Sequence, residues 1–86
     1  MIAPPTPRYP ASLEAAGLEG QVIVEFVIDT TGRVEPNSIR ATESTHSAFE
    51  AAARAAVRAS VFRPARLGTR PVRQLTRQTV RFVAAQ

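Results

Sequence analysis

Side chains able to perform acid–base or nucleophilic chemistry are scarce in these 86 residues. His46 is the one histidine, cysteine is absent, and no glycine-rich phosphate-binding pattern occurs. His46 stands between Thr45 and Ser47 in a segment typical of a helix entry, where a lone histidine is usually a surface residue. Asp29 and Glu35 flank a predicted hairpin turn on strands that diverge from any cleft. We therefore predict no catalytic residue, no metal ligand and no cofactor, and a protein that is not an enzyme.

Arginine is the residue type with the most uneven distribution. All 11 basic residues are arginine, and the formal net charge is +4. Residues 1–50 hold three arginines and seven acidic residues, whereas residues 51–86 hold eight arginines and no acidic residue. Net charges of −4 and +8 for the two parts indicate an anionic partner. A coding bias that places arginine on solvated faces explains the same pattern, and both alternatives stay open here.

Nucleic acid is the partner that a basic C-terminal part would favour. Binding of single strands requires exposed aromatic rings on which bases stack. Tyr9 is the one tyrosine, tryptophan is absent, and all four phenylalanines are assigned to the predicted core: Phe26, Phe49, Phe62 and Phe82. Phosphate attraction alone is weak and salt-sensitive. We expect no nucleic acid partner, and keep a basic, Arg-rich domain that binds nucleic acid or another anionic partner as the alternative function.

The length of the chain allows one small domain. With 44% hydrophobic residues and no apolar run near the ~18 residues of a membrane span, the chain is predicted to be globular. Three of the four residues from Pro4 to Pro7 are prolines, which cannot donate backbone hydrogen bonds. Residues 1–7 are therefore predicted to be the extended end of a proline-rich linker, and residues 8–86 the domain.

The spacing of apolar residues and turn residues predicts a first helix and two strands. Pro10 at its start and Gly17 just past its end predict a short helix whose Schellman cap joins Leu13 and Leu18. Residues 21–28 alternate as a strand, with one wholly apolar face. That face consists of Val22, Val24, Phe26 and Ile28. After a tight turn over residues 29–32, a second strand is predicted over about residues 33–42, at a sheet edge because Pro36 cannot donate to a ladder.

A longer helix and a third strand complete the predicted elements. Ser47 and Glu50 have the spacing of a capping box, which opens a helix that runs to about Val61. Its predicted apolar stripe is Phe49, Ala53, Ala56, Val57 and Val61. Residues 67–71 are predicted to be a loop. The last strand is predicted over about residues 72–83, with only its C-terminal end over the core.

These elements predict an α+β fold in the order α-β-β-α-β. The predicted sheet is antiparallel or mixed, has three strands in the order 2-1-3, and carries both helices on one face. The last strand is then a second sheet edge with nothing covering it. An edge of this kind presents unpaired backbone groups to which a partner's strand can add.

Several short motifs occur in a fixed order along the chain. They extend over residues 7–84, and no single one of them is decisive. The motifs are Pro7-Arg8-Tyr9-Pro10, Gly17 and Gly20, VIVEFVIDTTGRVE at 22–35, AAARAAVR at 51–58, Phe62-Arg63-Pro64, Gly68-Thr69-Arg70-Pro71-Val72 and Val80-Arg81-Phe82. In this order and spacing, the motifs together resemble the C-terminal domain of the TonB energy-transducer family.

The resemblance implies a periplasmic domain of a protein that is anchored in the inner membrane. In the family, the anchor joins an ExbB/ExbD-type motor, and the domain binds the TonB box of outer-membrane transporters by strand addition. It thereby transmits force derived from the proton-motive force for the uptake of nutrients such as iron–siderophore complexes. Strand exchange into a homodimer is a further expectation, because an uncovered edge can bind its own copy and short members of the family can exchange strands into dimers.

The resemblance and the predicted open edge both indicate the last strand as the partner-binding site. The expected partner-binding residues are Tyr9, Pro10, Arg77, Gln78, Thr79, Val80, Arg81 and Phe82. The backbone of residues 77–82 would form the ladder, and Arg77 and Arg81 would meet acidic residues in or near the box. Two structural alternatives stay open. Tyr9 is equally well explained as a residue packed on the core, and the two arginines as solubilising residues of an open face, paired with Glu25.

Overall fold

The most regular alternation in the sequence forms the central strand of the sheet. The computed structural model describes residues 7–83, and in it β1 extends over Gly20–Ile28. The four residues of its predicted apolar face are at most 3% exposed: Val22, Val24, Phe26 and Ile28. The residues between them are half-buried. The prediction of one covered and one partly wet sheet face is confirmed.

The remaining elements follow the predicted order, with one additional sheet. They are α1 (Ala11–Ala15), β1, a 3-10 turn (Pro36–Ser38), β2 (Arg40–Ser44), α2 (Ser47–Ala59), β3 (Ala65–Leu67), β4 (Arg70–Val72) and β5 (Gln74–Phe82). The main sheet has the order β2-β1-β5, with both outer strands antiparallel to β1. The α+β class and the strand order are thus confirmed, while residues 1–6 of the predicted linker lie outside the described residues.

The first helix ends as the position of its glycine predicts. Gly17 has a φ of 70°, and its N–H donates to the carbonyl of Glu14 at 3.0 Å. The N–H of Leu18 donates to the carbonyl of Leu13, also at 3.0 Å. These two bonds are those of a Schellman cap. They end α1 at Ala15, with Ala16 as the C-cap, and keep Leu13 buried in the core.

The second strand is shorter than predicted, because Pro36 starts a 3-10 turn instead of lying inside the strand. Proline fixes φ and has no N–H, so the ladder cannot continue through it. The side chain of Ser38 replaces a backbone partner of β1 at this point. Its hydroxyl accepts from the N–H of Val27 at 2.8 Å and donates to the carbonyl of Glu35 at 2.6 Å. β2 therefore begins only at Arg40, at the sheet edge as expected.

The capping box predicted for the long helix is wrong by one residue. His46 is the N-cap, with extended backbone angles, and its Nδ1 accepts from the N–H of Ala48 at 3.1 Å. Ser47 is already helical. Glu50 instead accepts from the hydroxyl of Ser44 at 2.7 Å. A histidine ring and a serine hydroxyl can both accept at a helix start, and the sequence spacing alone favoured the serine.

The buried stripe of α2 is confirmed except at its C-terminal end. Phe49, Ala53, Ala56 and Val57 are buried, but α2 ends at Ala59, and Val61 is 44% exposed. Val61 bridges to Arg33 in extended conformation instead of extending the helix. Phe62, the next residue, is 3% exposed, because the alternation of an extended chain turns it toward the core.

The predicted loop and last strand are also corrected. β3 and β4 form a hairpin in which Leu67 pairs with Arg70, and Gly68 at the turn has a φ of 63°. Glycine adopts this left-handed conformation without steric cost, so two strands can follow so short a turn. Pairing with Ala65 places Val72 in this hairpin, and the strand of the main sheet starts only at Gln74.

The two helices cover the same face of the main sheet. Leu13 of α1 and Phe49 of α2 belong to one buried cluster with the apolar face of β1. The rings of Phe49 and Phe82 stack with centroids 4.4 Å apart, which ties α2 to the end of β5. Only Val80 and Phe82 of β5 are buried, as the sequence predicts. No helix in the described part of the chain is long and apolar enough to cross a membrane.

We predict that alanine at Gly32 costs far more stability than alanine at Gly17. Both glycines have positive φ, 92° and 70°, so each alanine bears a strain of about 1 kcal/mol. A Cβ at residue 32 would also lie 2.0 Å from the carbonyl oxygen of Phe62, whereas nothing lies within 4 Å at residue 17. Urea unfolding should show a loss of about 1 kcal/mol for Gly17→Ala and about 3 kcal/mol for Gly32→Ala. Equal losses would contradict the close approach at Gly32.

Candidate partner-binding edge

β5 pairs with β1 along its whole length and forms an edge of the main sheet. The register is continuous from Gly20 opposite Phe82 to Ile28 opposite Gln74. Within residues 7–83, no strand pairs with the other side of β5. One row of its backbone groups is therefore available to a partner.

The hydrogen bonds of β1 determine which backbone groups of β5 face outward. In β1, the carbonyl of Gln21 accepts from the N–H of Thr45 at 3.1 Å, and that of Val27 accepts from Glu35 at 2.9 Å. Both acceptors lie on the β2 side of β1. Because successive residues of a strand direct their backbone groups to opposite sides, the even-numbered residues of β1 face β5. The even-numbered residues of β5 lie opposite them and use their N–H and C=O groups on β1.

The odd-numbered residues of β5 consequently direct their N–H and C=O groups away from the sheet. Three of them fall within the expected binding segment: Arg77, Thr79 and Arg81. The other three expected residues of that segment are Gln78, Val80 and Phe82. Their backbone groups bond to β1, so they can contact a partner only through their side chains. The structure thus divides the expected backbone ladder into outward and inward residues.

Tyr9 lies beside the C-terminal end of β5. Its ring makes edge-to-face contacts with Phe49 and Phe82, with centroid separations of 5.8 and 5.6 Å. Its hydroxyl donates to the carbonyl of Leu18. Burial, together with nearby carboxylates, raises the pKa of Tyr9, which favours the protonated hydroxyl that donates to Leu18. Tyr9 therefore packs on the core, and this position also places it next to the expected site.

Pro10 has a structural task at the start of α1. It is the N-cap, and its carbonyl accepts from the N–H groups of Leu13 and Glu14 at 3.1 and 3.0 Å. Its ring is half-buried. Pro10 thus fixes the chain segment that carries Tyr9. It is connected to the expected site only through Tyr9.

Arginines recur at every fourth position along one face of β5, and their pairing weakens toward the C-terminal end. Arg73, just before the strand, binds both carboxylate oxygens of Glu35 at 2.7 and 2.8 Å. Arg77 is 4.0 Å from Glu25, the limit of a salt bridge. No carboxylate of the described residues lies within salt-bridge distance of Arg81, which is opposite Gln21.

Glu25 is shared between the two edges of the sheet. It is 3.9 Å from Arg40 of β2 and 4.0 Å from Arg77 of β5, and both arginine side chains are mostly exposed. The alternative that Arg77 solubilises an open face and pairs with Glu25 is therefore observed. Exposed pairs at this distance contribute little to stability, so Arg77 remains able to exchange partners.

The pair of Arg73 and Glu35 was not anticipated from the sequence. The two residues are 38 positions apart, and no local pattern joins them. Glu35 lies after the turn that follows β1, and Arg73 lies directly before β5. The bidentate contact therefore joins the segment after β1 to the start of β5. The Arg73 guanidinium, mainly through its hydrogen bonds, holds the pKa of Glu35 below its usual value.

Asp29 organises the turn at the same end of the sheet. Its Oδ1 accepts from the hydroxyl and the N–H of Thr31 at 2.6 and 2.8 Å, and from the N–H of Arg33 at 3.0 Å. These donors hold the pKa of Asp29 below its usual value, and the Thr31 hydroxyl has the largest effect. Asp29 and Glu35 thus serve turn and ion-pair roles. Within the described residues, no three possible metal-ligating side chains form a group.

Comparisons with known proteins agree on one family. A family model described as the Gram-negative bacterial TonB protein C-terminal matches residues 5–84. The solution NMR structure of the Pseudomonas aeruginosa TonB CTD is similar at a TM-score of 0.77 and 30% identity, covering 100% of this chain and 84% of that one. A structure of the TonB2 protein from Vibrio anguillarum is similar at 0.70 and 29%, covering 94% and 76%. A search of the curated proteins finds no match.

We predict that acid weakens the fold partly through Glu35 and Asp29. Their pKa values are lowered in the folded chain, so their stabilisation is complete above the unfolded-state pKa and is lost as the pH falls through the folded-state pKa. Urea unfolding should therefore show declining stability below about pH 4. Glu35→Gln should be less stable than the parent at pH 7, and the difference should be smaller at pH 2.5, because protonation of Glu35 removes its charge. A constant difference at both pH values would contradict the charge-based role of the Arg73 pair.

Proposed function

This chain belongs to the family of Gram-negative bacterial TonB C-terminal domains, and we propose that it binds the TonB box of outer-membrane transporters by strand addition to β5. The family consists of energy-transducing and binding domains rather than enzymes. The observation that carries the proposal is the open side of β5, where the outward backbone groups of Arg77, Thr79 and Arg81 have no strand partner within residues 7–83.

Strand addition suits this edge on physical grounds. An extended peptide can take up the outward N–H and C=O groups, and main-chain bonds give affinity that depends little on side chains. The edge is held rigidly, because the inward groups of β5 are bonded to β1 and Phe82 is stacked on Phe49. A rigid edge lowers the ordering cost that a short peptide must overcome on binding.

The side chains around the outward groups would set the preference for particular boxes. Residues of an added strand that lie opposite Arg77 and Arg81 would share the open face with these arginines, four positions apart. Residues opposite Val80 and Phe82 would lie on the other face, near Tyr9. The arrangement favours a segment with acidic residues on one face and apolar residues on the other.

The wider role of the domain follows from the same family. In this proposal the domain lies in the periplasm and belongs to a protein anchored in the inner membrane, where an ExbB/ExbD-type motor supplies force. Force transmitted to the bound box would drive nutrient uptake, with iron–siderophore complexes as an example. The same edge could instead pair with a second copy in a strand-exchanged homodimer, which would compete with the box.

Nucleic acid binding receives little support from the structure. All four phenylalanine side chains are at most 3% exposed. Tyr9 is packed against two of them and is hydrogen-bonded to the backbone. Among the described residues, therefore, no free aromatic ring offers a stacking platform for bases. The exposed arginines alone provide charge attraction without recognition of a base.

We predict that proline at position 79 weakens binding and leaves the fold intact. The N–H of Thr79 points outward, so Thr79→Pro removes a donor that only a partner would use. NMR titration with a synthetic TonB-box peptide should show affinity reduced about tenfold, from one lost hydrogen bond. Thr79→Val, which keeps the N–H, should bind as the parent does.

Proline at the neighbouring position provides the complementary test. The N–H of Gln78 belongs to the ladder with β1, so Gln78→Pro should lower stability by about 3 kcal/mol or more. If Thr79→Pro unfolds the domain and Gln78→Pro does not, the assignment of outward and inward residues is wrong. If Thr79→Pro folds and binds the box unchanged, the edge is not the binding site.

We also predict that Arg81 contributes more than Arg77 to the recognition of acidic boxes. Arg81 has no carboxylate partner among the described residues, while Arg77 already shares Glu25. Arg81→Gln should weaken binding of a peptide with glutamate opposite residue 81 about two- to fivefold. The same peptide with glutamine at that position should bind Arg81→Gln and the parent with equal affinity. Equal losses for both peptides would exclude a charge contact.

A further inference from the structure

A groove lies on the helical side of the molecule, between α2 and the 3-10 turn that precedes β2. Its volume is about 480 Å³, within the range of small-ligand pockets. Its floor is formed by three alanines of α2: Ala51, Ala55 and Ala59. Pro36 and Ile39 provide an apolar wall on the β2 side. The proposed strand addition at β5 uses none of these residues.

The floor of this groove allows another helix to approach closely. The three alanines recur every fourth residue, so they form one row along α2. They are exposed, whereas the buried stripe of α2 faces the sheet. Methyl groups leave the helix backbone accessible, and a helix of a partner could pack at the short end of the usual interhelical distances of about 8–10 Å.

Two arginines line the groove and are available to bind anions. Arg54 and Arg58 are four residues apart on α2, directly before Ala55 and Ala59, so they follow one side of the alanine row. Both are exposed, and no carboxylate of the described residues is within salt-bridge distance of either. Glu50, the acidic residue four positions before Arg54, accepts from Ser44.

We propose that this groove binds an acidic amphipathic helix of a partner protein. Its apolar face would pack on the alanine row and Ile39, and carboxylates spaced four residues apart would meet Arg54 and Arg58. Charge complementarity is the reason for an acidic helix, rather than a second copy of this chain, as the occupant. A second copy placed symmetrically on the groove would bring the same two arginines against each other, with no acidic lining residue to separate them.

The groove and the β5 edge can be occupied together. α2 packs over β1 and β2, and its groove opens beside the 3-10 turn before β2, whereas β5 is the opposite edge of the sheet. A partner helix in the groove therefore leaves the outward groups of β5 free. The proposal does not depend on strand addition, and each can fail without the other.

The test uses a synthetic amphipathic peptide of about 16 residues, with leucine and alanine on one face and two glutamates four residues apart beside them. In an NMR titration of the labelled domain, saturable shifts are expected at Ala51, Ala55 and Ile39. The double variant Arg54→Gln/Arg58→Gln should bind at least about fivefold more weakly, from two exposed ion pairs. The matched control Arg66→Gln/Arg70→Gln removes the same charge from the hairpin and should bind as the parent does.

Further variants separate this site from the alternatives. Ala55→Leu, which fills the floor, should weaken binding, and Thr79→Pro should leave it unchanged. A peptide with glutamine in place of both glutamates should bind the parent domain more weakly, by the same factor by which Arg54→Gln/Arg58→Gln weakens binding of the original peptide. Absence of shifts at 1 mM peptide, unchanged binding by Arg54→Gln/Arg58→Gln, or shifts confined to residues 77–81 would each overturn the proposal. Binding to anionic lipid vesicles that outcompetes the peptide would overturn it in favour of a membrane surface.

Discussion

The paired backbone of β1 is the constraint on which the rest of the structure depends. β1 is the one strand of the main sheet that is bonded on both sides, and its side chains supply the buried centre of the core. Its odd-numbered residues bond toward β2, which leaves the even-numbered ones for β5. This alternation determines which backbone N–H and C=O groups of β5 have no partner in the described part of the chain. A shift of one residue would reverse both the buried face and the open ladder.

Packing and charge divide β5 into two functionally different ends. Its N-terminal end follows the bidentate pair of Arg73 and Glu35, which connects it to the turn region after β1. Its C-terminal end is anchored by Phe82 between Phe49 and Tyr9. Between these anchors, the odd-numbered residues of β5 have exposed, weakly paired side chains. A strand held at both ends with a free outer edge is a suitable platform for an extended partner.

Patterns with a strong local cause were predictable from the sequence. The alternation of β1 predicted its buried face, and Gly17 predicted the cap of α1. The edge position of β2 was predicted correctly from Pro36, although Pro36 lies in the 3-10 turn before β2 and not inside the strand. Errors arose where two local solutions compete. His46 and Ser47 can both cap α2, and a loop around Gly68 can also close a hairpin. The Arg73–Glu35 pair and the direction of each backbone group in β5 depend on residues far apart in sequence, so no local pattern could reveal them.

Amide hydrogen exchange with and without a TonB-box peptide tests the central claim most directly. In the free domain, the amides of Gln78 and Val80 should be protected by β1, while those of Arg77, Thr79 and Arg81 should exchange quickly. Saturating peptide should slow exchange at these three outward residues and change little at the inward ones. Protection at the outward residues before peptide is added, or peptide-induced protection elsewhere with none at β5, would contradict strand addition at this edge.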